Sequence, residues 1–468
     1  NIPSRFRQFL IYTARDFRSK ISNTQYIVLN LLETPVLAFI LAYVIRYIPD
    51  PNSNVYIFRE NENIPIYIFM SLIVALFIGL TVSAEEIFKD RKILKREQYL
   101  NLSRTSYLFS KIFILLVLSA IQTLSFVLIA NSILSLRGLN LEYWLILFST
   151  SVCANLIGLN ISATFNSAVT IYIVIPLLMI PMMVLSGAMF SFEKLNRAVG
   201  SFDRVPLIAE FMPTKWGYES LVVLQFKDNE FQRNFYELEK GERNANYKTV
   251  YLLPELQKRL EFCIENWDKR DSLDIQLRLR DALGVLHRSL KREHEVEAAD
   301  IPYTYLSGLN YDSVTEEALY ETVGYIDQLQ ERYAKIFGEK NKQRDAIVSH
   351  LMSTNPQLYE AKRAAYHNES VADLAQKVFE KNKILQFKDQ LVQQYDPVYR
   401  DPIPNSYFDI GSHFLAPRKH FMGHYFDTYW FDLVILWVMS ACLYLALHFE
   451  LLRRVGALFS FIQRLVKR

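Results

Sequence analysis

Cysteine and glycine are scarce in this sequence, and several catalytic motifs are missing. Three cysteines in 468 residues, two of them inside apolar runs, exclude a scaffold held together by disulfide bonds. Fourteen glycines are few for this length, and no G-x-x-x-x-G-K-[ST] loop is present to bind nucleotide phosphates. The hydrolase motifs G-x-S-x-G and H-E-x-x-H do not occur either. The chain therefore carries no ATPase motif of its own, and the sequence leaves open whether it takes part in an enzyme.

An excess of charge of one sign is missing too. The 52 Lys and Arg residues nearly balance 49 Asp and Glu residues, which gives a formal net charge of +3. So small an excess excludes a general nucleic-acid-binding protein. The mean hydropathy of +0.07 would suit a soluble protein, but this average conceals an uneven distribution along the chain.

Long apolar runs occur at several places. A helix that crosses the ~30 Å core of a bilayer needs roughly 20 apolar residues. Runs of 21, 25, 50 and 17 residues without an acidic or basic side chain occupy residues 64–84, 112–136, 143–192 and 433–449. The longest run accommodates two spans, and we place their boundary at residues 164–167. With residues 21–45, whose single acid is Glu33, the sequence predicts six membrane helices.

The distribution of Lys and Arg predicts the orientation of these helices. Five lie in residues 1–20, seven in residues 85–111 and five after Glu450, whereas residues 46–64 hold two. Short loops rich in Lys and Arg remain in the cytosol. We therefore expect a cell-membrane protein with both termini cytosolic and residues 191–427 outside the cytosol.

The segment at residues 227–427 is charged and has helical periodicity. Apolar residues recur at helical spacing from Leu253 to Trp267 and from Leu319 to Ile336, and a further polar helix is expected from Pro356 to Tyr395. The predicted fold class is an all-α integral membrane protein with an α-helical ectodomain. Asn368 begins a glycosylation sequon, and three histidines precede the last span, His413, His420 and His424, without a complete set of metal ligands.

Four motifs, in order along the chain, resemble the membrane domain of G-subfamily ATP-binding-cassette exporters, the White and multidrug-resistance type. Residues 82–88, 95–99 and 106–111 resemble the first cytosolic loop of that family. Residues 158–163 and 166–168 resemble the junction of the fourth and fifth spans. Ser186-Gly187 and residues 211–221 resemble the end of the fifth span and a re-entrant exterior segment.

The resemblance implies a division of the chain and roles for particular residues. Its parts are an amphipathic connecting helix (1–20), five spans (21–190) with a cytosolic coupling hairpin (85–111), a re-entrant segment (191–226), an inserted helical ectodomain (227–427) and a last span with a basic tail (428–468). The coupling hairpin and polar relay comprise Arg15, Glu86, Phe88, Arg96, Glu97 and Tyr99. The substrate cavity is expected to include Phe77, Gly79, Ile180 and Met183, and the exit gate Ser186, Gly187, Ala188 and Met189.

Two features of the membrane helices remain open between a functional and a structural interpretation. Glu33 is an acid inside a predicted span, and Asn30 lies on nearly the same helical face. Such residues line substrate paths or form hydrogen bonds between helices. Gly79 stands where drug exporters of the family carry a clamping phenylalanine, which makes flat polyaromatic drugs doubtful substrates.

The resemblance implies the transmembrane half of an ATP-driven exporter that works by alternating access. The expected partners are a second copy of the chain, membrane lipid, an extracytoplasmic partner of the ectodomain and a nucleotide-binding domain that carries ATP and Mg²⁺. Because that domain precedes the membrane domain in the family, and the chain begins with Asn1, we expect it upstream or as a separate subunit. The alternatives are a membrane-anchored signalling or scaffold protein and an ion-coupled transporter that uses Glu33.

Overall fold

A computed structural model describes residues 3–97 and 103–455, apart from the side chains of Lys92, Lys95 and Glu97. The first helices are α1 (Arg5–Ser22), α2 (Thr24–Ile45), α3 (Ile64–Ser83), α4 (Glu86–Glu97), α5 (Arg104–Ile133), α6 (Asn140–Thr164) and α7 (Ala168–Val184). Then follow α8 (Leu207–Glu210), α9 (Pro213–Lys227), α10 (Tyr236–Tyr247), α11 (Leu253–Glu265), α12 (Leu273–Val296), α13 (Glu316–Thr354), α14 (Pro356–Tyr366) and α15 (Glu369–Gln376). Strands β1 (Ile384–Phe387), β2 (Gln390–Gln393), β3 (Arg418–Phe421) and β4 (His424–Asp427) precede α16 (Thr428–His448).

Five helical segments in the described part of the chain are long and apolar enough to cross a membrane. They are Thr24–Ile45, Ile64–Arg91, Arg104–Ile133, Asn140–Thr164 and Thr428–His448. The expected fifth span corresponds to α7, which is apolar but has 17 residues and two internal prolines. At 1.5 Å per residue it is about 26 Å long, at the lower limit for a span. The chain is thus a multi-pass membrane protein, and the count of six remains a prediction.

Helix α3 lies at the centre of the membrane half and packs along α6. Tyr67, Ile68 and Leu72 are fully buried, and the Tyr67 hydroxyl donates a 2.6 Å hydrogen bond to Asn131 of α5. The two helices approach closely at Gly79, where an added Cβ would lie 2.6 Å from the Ser151 carbonyl oxygen. A side chain larger than hydrogen would separate α3 from α6 at this level.

A second buried core lies within residues 245–395. The predicted helical periodicity is confirmed: Leu253, Leu256 and Leu260 of α11 pack against Leu319 and Ile326 of α13 in one buried cluster. Helix α12 adds Leu279, Leu283, Leu286 and Leu290 to the same cluster. This core consists largely of three helices whose apolar faces meet.

The expectation of an entirely helical segment is wrong at two short antiparallel hairpins. In place of the single helix expected from Pro356 to Tyr395 there are two, α14 and α15, and the second ends at Gln376. Strand β1 then pairs with β2 from Ile384↔Gln393 to Phe387↔Gln390. Strands β3 and β4 pair from Arg418↔Asp427 to Phe421↔His424. Each hairpin has a two-residue turn that includes positive φ angles, at Lys388 (54°) and at Met422 and Gly423 (51° and 80°). Helical periodicity alone does not reveal turns of this kind.

Candidate coupling, gate and exterior sites

Lys111 lies at the centre of a buried group of charges at the predicted cytosolic side. It is only 4% exposed, and its Nζ lies 2.7 Å from Asp16 Oδ1, 2.9 Å from Glu86 Oε2 and 2.9 Å from Asp90 Oδ2. These carboxylates come from α1 and α4, whereas Lys111 belongs to α5. One ammonium group therefore connects three helices by charge-assisted hydrogen bonds.

The predicted relay residue Glu86 belongs to this group. Its other oxygen forms an ion pair with Lys20 of α1, and Lys20 also approaches Asp16. Burial lowers the pKa of Lys20, but Glu86 and Asp16 outweigh that effect, so its pKa lies above the ordinary value. Arg15 lies on the same helix, with its guanidinium 5.1 Å from the centre of the Tyr12 ring. Glu86 thus joins α4 to α1 through Lys20 and to α5 through Lys111. The resemblance did not single out either lysine.

The start of α4 is also anchored to the end of α6. The Ser162 hydroxyl accepts hydrogen bonds from the backbone N–H groups of Ile87 (3.1 Å) and Phe88 (2.9 Å). The Arg91 guanidinium donates to the Ser162 and Ala163 carbonyl oxygens and to the Asn166 side chain. Of the remaining predicted hairpin residues, Arg96 is exposed, while the Glu97 side chain and Tyr99 lie outside the described residues.

The predicted cavity residues fall in different surroundings. Phe77 and Ile180 are 39% and 60% exposed, and Met183 is half-buried against the main core. Gly79 lies inside the contact of α3 with α6 and faces no open space. The side-chain amide nitrogen of Asn30 donates to the Tyr26 backbone carbonyl oxygen. The backbone carbonyl oxygen of Asn30 accepts a 2.9 Å hydrogen bond from the Gln122 side chain. Glu33 is half-buried and forms no hydrogen bond or ion pair with any residue of the described chain.

The predicted exit gate forms a turn after α7. The buried Ser186 hydroxyl donates to the Met183 carbonyl oxygen and accepts from the Ala188 N–H, while Met189 is half exposed. Gly187 has φ of +81°, and an added Cβ would lie 2.5 Å from the Phe414 ring. The positive φ and the close ring both favour glycine here. Through Phe414, the turn contacts the segment that precedes β3.

A second buried charge cluster lies between α9, α16 and β3. Lys215, Glu219 and Lys419 are fully buried. Glu219 Oε1 accepts hydrogen bonds from Lys419 Nζ at 2.6 Å and from the Leu415 N–H at 2.9 Å, and its Oε2 lies 3.0 Å from Lys215 Nζ. Lys419 also donates to the Ser412 hydroxyl at 2.6 Å. Glu219 thereby fixes residues 412–419 onto α9, next to the gate turn.

Glu210 and Asp432 complete this second cluster around Lys215. Lys215 Nζ lies 2.9 Å from Glu210 Oε2 and 3.4 Å from the centre of the Trp216 ring. Asp432, on the first turns of α16, is fully buried near Glu219 and both lysines, yet neither of its oxygens has a hydrogen-bond partner in the described chain.

The sequon asparagine has a structural role. Asn368 is 4% exposed, and its amide nitrogen donates to the Phe58 and Asn61 carbonyl oxygens at 2.8 and 2.9 Å. Its Oδ1 accepts from the Val371 N–H and caps α15. The same nitrogen cannot carry a glycan in this folded state. Asn368 instead holds the loop between α2 and α3 against residues 227–427.

The three histidines do not form a metal centre. His413 Nε2 lies 2.9 Å from the Pro397 carbonyl oxygen, and His420 Nδ1 lies 3.2 Å from that of Asp409. No group of three or more His, Cys, Asp or Glu side chains suited to a metal ion occurs within residues 3–97 and 103–455.

Sequence reasoning missed both lysine-centred clusters, although weak signals existed. Lys111 immediately precedes a 25-residue apolar run, and Lys215 and Glu219 are spaced i, i+4 among apolar and aromatic residues. Each pattern also fits an ordinary interfacial lysine or a surface ion pair. Partners such as Asp16 and Lys419 lie about 95 and 200 residues away in the sequence, and only the fold brings them together.

Comparison with known proteins defines the class of the membrane half. Residues 7–226 match the family described as "ABC-2 type transporter", so this part of the chain is an ABC-2 type transporter membrane domain. The chain is also similar to the ABC transporter ATP-binding/permease protein Rv1747 of Mycobacterium tuberculosis, with 27% identity over 232 residues. The similar region covers 46% of this chain and 25% of that relative. The chain is thus a transporter-type membrane protein with a distant relative among ABC transporters.

Proposed function

We propose that the chain is the transmembrane half of an ATP-driven exporter of the G-subfamily type, in which two copies enclose a substrate path. The observation that carries this proposal is the Lys111 cluster at the base of α4, inside a domain of the ABC-2 type. ABC-2 membrane domains partner with ATP-binding-cassette domains, and in our proposal α4 is the coupling segment that contacts this partner. ATP and Mg²⁺ bind to that partner domain, either upstream or on a separate subunit.

The contacts of α4 provide a path for motion. Glu86 and Asp90 of α4 share Lys111 with Asp16, so a displacement of α4 moves α1 and α5 with it. Ser162 and Arg91 transmit the same displacement to α6. Buried ion pairs are costly to separate, and the four helices therefore move together rather than slide past one another. This rigidity suits alternating access, in which packed units rock around a central site.

The apolar surfaces of α2 and α7 support a dimer. Each helix has one exposed apolar face in the single chain, and the exposed apolar side chains of α7 are Val169, Tyr172, Ile173, Leu177 and Ile180. In our proposal this face lines the path between two copies together with Phe77 and Met183, and the turn from Ser186 to Met189 closes its exterior end. The termini face the cytosol, and residues 191–427 lie outside it, where they gate the exit or bind an extracytoplasmic partner.

Co-purification followed by ATPase and efflux assays tests the proposal. We expect the native complex to contain an ATP-binding-cassette domain and to lose efflux when ATP is depleted. Lys111→Met should uncouple ATP turnover from efflux, whereas Lys89→Met, a matched change at a lysine that is 67% exposed, should not. A native complex without such a domain, with efflux that ignores ATP depletion, would refute the exporter.

The same assays distinguish two other functions. An ion-coupled transporter that uses Glu33 would lose transport in Glu33→Gln while ATP depletion had no direct effect. A signalling or scaffold protein would bind a ligand through residues 227–427 and show no efflux in either condition.

A further inference from the structure

Two adjoining cavities open between α12, β2 and residues 400–405. Their volumes are about 280 and 260 Å³, and both are lined by Ser289, Arg292, Leu391 and Arg400. Ser289 and Arg292 are spaced i, i+3 on α12, so they lie on the face of the helix that borders this space. We call the combined space the arginine cleft. Together its two parts have the size of a small-molecule site.

Arg292 and Arg400 lack acidic partners. No carboxylate within residues 3–97 and 103–455 lies within 4 Å of either guanidinium, and the hydrogen bond of the Arg400 side chain goes to the Gln393 carbonyl oxygen at 3.0 Å. Burial and then the charge of Arg292 lower the pKa of Arg400 to about 10, a value that still leaves it positive at neutral pH. Two like charges therefore remain close together in a concave site.

The acids that line the cleft pair with other bases. The contacts are Asp203 with Arg204 at 3.7 Å, Glu295 with Lys291 at 3.9 Å, Asp401 with Lys240 at 2.6 Å, and both Glu293 and Glu297 with Lys248 at 2.8 and 2.5 Å. The neighbouring Arg288 is itself paired with Asp389 at 3.1 Å. Among the described residues, Arg292 and Arg400 are thus the arginines lining the cleft that have no carboxylate within 4 Å, although Asp203 and Glu193 act on Arg400 from farther away.

We propose that the arginine cleft binds a phosphate group, with Arg292 and Arg400 as its charged ligands. A phosphate carries close to two negative charges and several acceptor oxygens, which matches two planar guanidinium forks. The Ser289 hydroxyl is a third donor on the same wall. The phosphate belongs either to a soluble phosphate compound or to a lipid headgroup. Apart from Asp203 and Arg204, the residues that line the cleft lie within residues 227–427, and the site is independent of the proposed export activity.

Calorimetric titration of the full chain in neutral detergent tests this site with two probes, inorganic phosphate and dihexanoyl phosphatidic acid, at constant ionic strength. At least one probe should bind, and Arg292→Gln and Arg400→Gln should each weaken its binding by about tenfold or more. Arg280→Gln is the matched control, because it removes the same charge from an exposed residue of α12 and should change affinity by less than about twofold.

The outcomes separate the sources of the phosphate. Tighter binding of phosphatidic acid, lost in the arginine variants, identifies a lipid headgroup, and binding of both probes with equal affinity identifies a soluble phosphate compound. Arg400→Gln removes a hydrogen bond within the fold, so the exposed Arg292→Gln, checked by size-exclusion chromatography, is the decisive variant. Absence of binding by both probes, or undiminished affinity in Arg292→Gln, would overturn the proposal.

Discussion

Lys419 Nζ lies 2.6 Å from Glu219 Oε1, and both side chains are fully buried although 200 residues separate them in the sequence. The pair joins β3, at the end of the polar segment, to α9, at the end of the ABC-2 type domain. Residues 412–419 include Phe414, which covers Gly187 in the turn after α7. One buried ion pair thus fixes the position of the segment that contacts the proposed gate.

Removal of the charge of Glu219 should destabilise the protein strongly. In Glu219→Gln the ammonium groups of Lys215 and Lys419 remain buried without their shared carboxylate, which costs about 3–5 kcal/mol. Glu237→Gln is the control, because Glu237 and Arg418 form an exposed pair worth roughly 0–1 kcal/mol. Chemical denaturation in detergent, followed by circular dichroism, measures both changes. Equal shifts in the two variants would contradict a structural role of the buried pair.

Lys111→Met should lower stability by a similar amount. The substitution leaves Asp16, Glu86 and Asp90 close together with Lys20 as their remaining ammonium group, and breaking a buried ion pair costs about 3–5 kcal/mol. Lys89→Met removes a charge from an exposed i, i+4 pair with Glu85 and should cost less than about 1 kcal/mol. Thermal unfolding of the purified variants measures the difference. If Lys111→Met unfolds like Lys89→Met, the cluster does not hold α1, α4 and α5 together.

Gly187→Ala should be destabilising in two separable ways. A residue other than glycine pays about 1–2 kcal/mol at a positive φ, and the new methyl group would also overlap the Phe414 ring. Phe414→Leu in the same chain should relieve the overlap but not the backbone cost. Gly338→Ala, at a site in α13 with open space around it, should instead stabilise the helix by about 0.5–1 kcal/mol. The melting temperatures of the wild type and of these three variants decide whether the two costs are separate.

His367 should make stability depend on acid pH. Burial, followed by the charges of Arg363 and Arg59, lowers the pKa of His367 from 6.5 to about 4. The unfolded chain therefore binds a proton below pH 6.5 that the folded protein binds only near pH 4, and stability falls as the pH decreases between these values. Asp396, whose pKa burial raises to about 6, acts in the opposite direction in the same range. The comparison with His367→Phe is consequently more informative than the wild-type profile alone.

This comparison has a definite expected result. His367→Phe keeps an aromatic ring next to Phe231, whose ring centre lies 5.9 Å from that of His367, and removes the titrating group. The free energy of unfolding, measured from pH 7 to pH 4, should fall less in the variant, by roughly 3 kcal/mol at pH 4. Parallel profiles would show that His367 is not held neutral by the fold.

Several elements followed directly from sequence patterns. The polar stretch at residues 164–167 predicted the boundary between α6 and α7, and the structure confirms it with α6 ending at Thr164 and α7 starting at Ala168. The apolar repeat of α11 predicted a buried helical face, and Leu253, Leu256 and Leu260 are buried. Local periodicity is sufficient for such predictions because the residues of one helical face lie within two or three turns of each other.

Other features depended on contacts that no local pattern encodes. The Glu86 site was expected from resemblance, but its partners Lys20 and Lys111 were not. The β1–β2 hairpin occupies a segment where a helix was expected, and its turn has a positive φ at Lys388. Gly79, expected beside a cavity, lies between α3 and α6. Each result depends on which helices come to lie side by side.

The sequence by itself determined that this is a multi-pass helical membrane protein with a large polar segment, because apolar runs of bilayer length and helical periodicity are local properties. The tertiary structure decided which charges are buried together. Lys111, Lys215, Glu219 and Lys419 resemble surface residues along the chain, and they become connections between helices only because packing removes them from water beside their partners. The partners lie far apart in the sequence, so no local pattern shows that they will be close together in the folded protein.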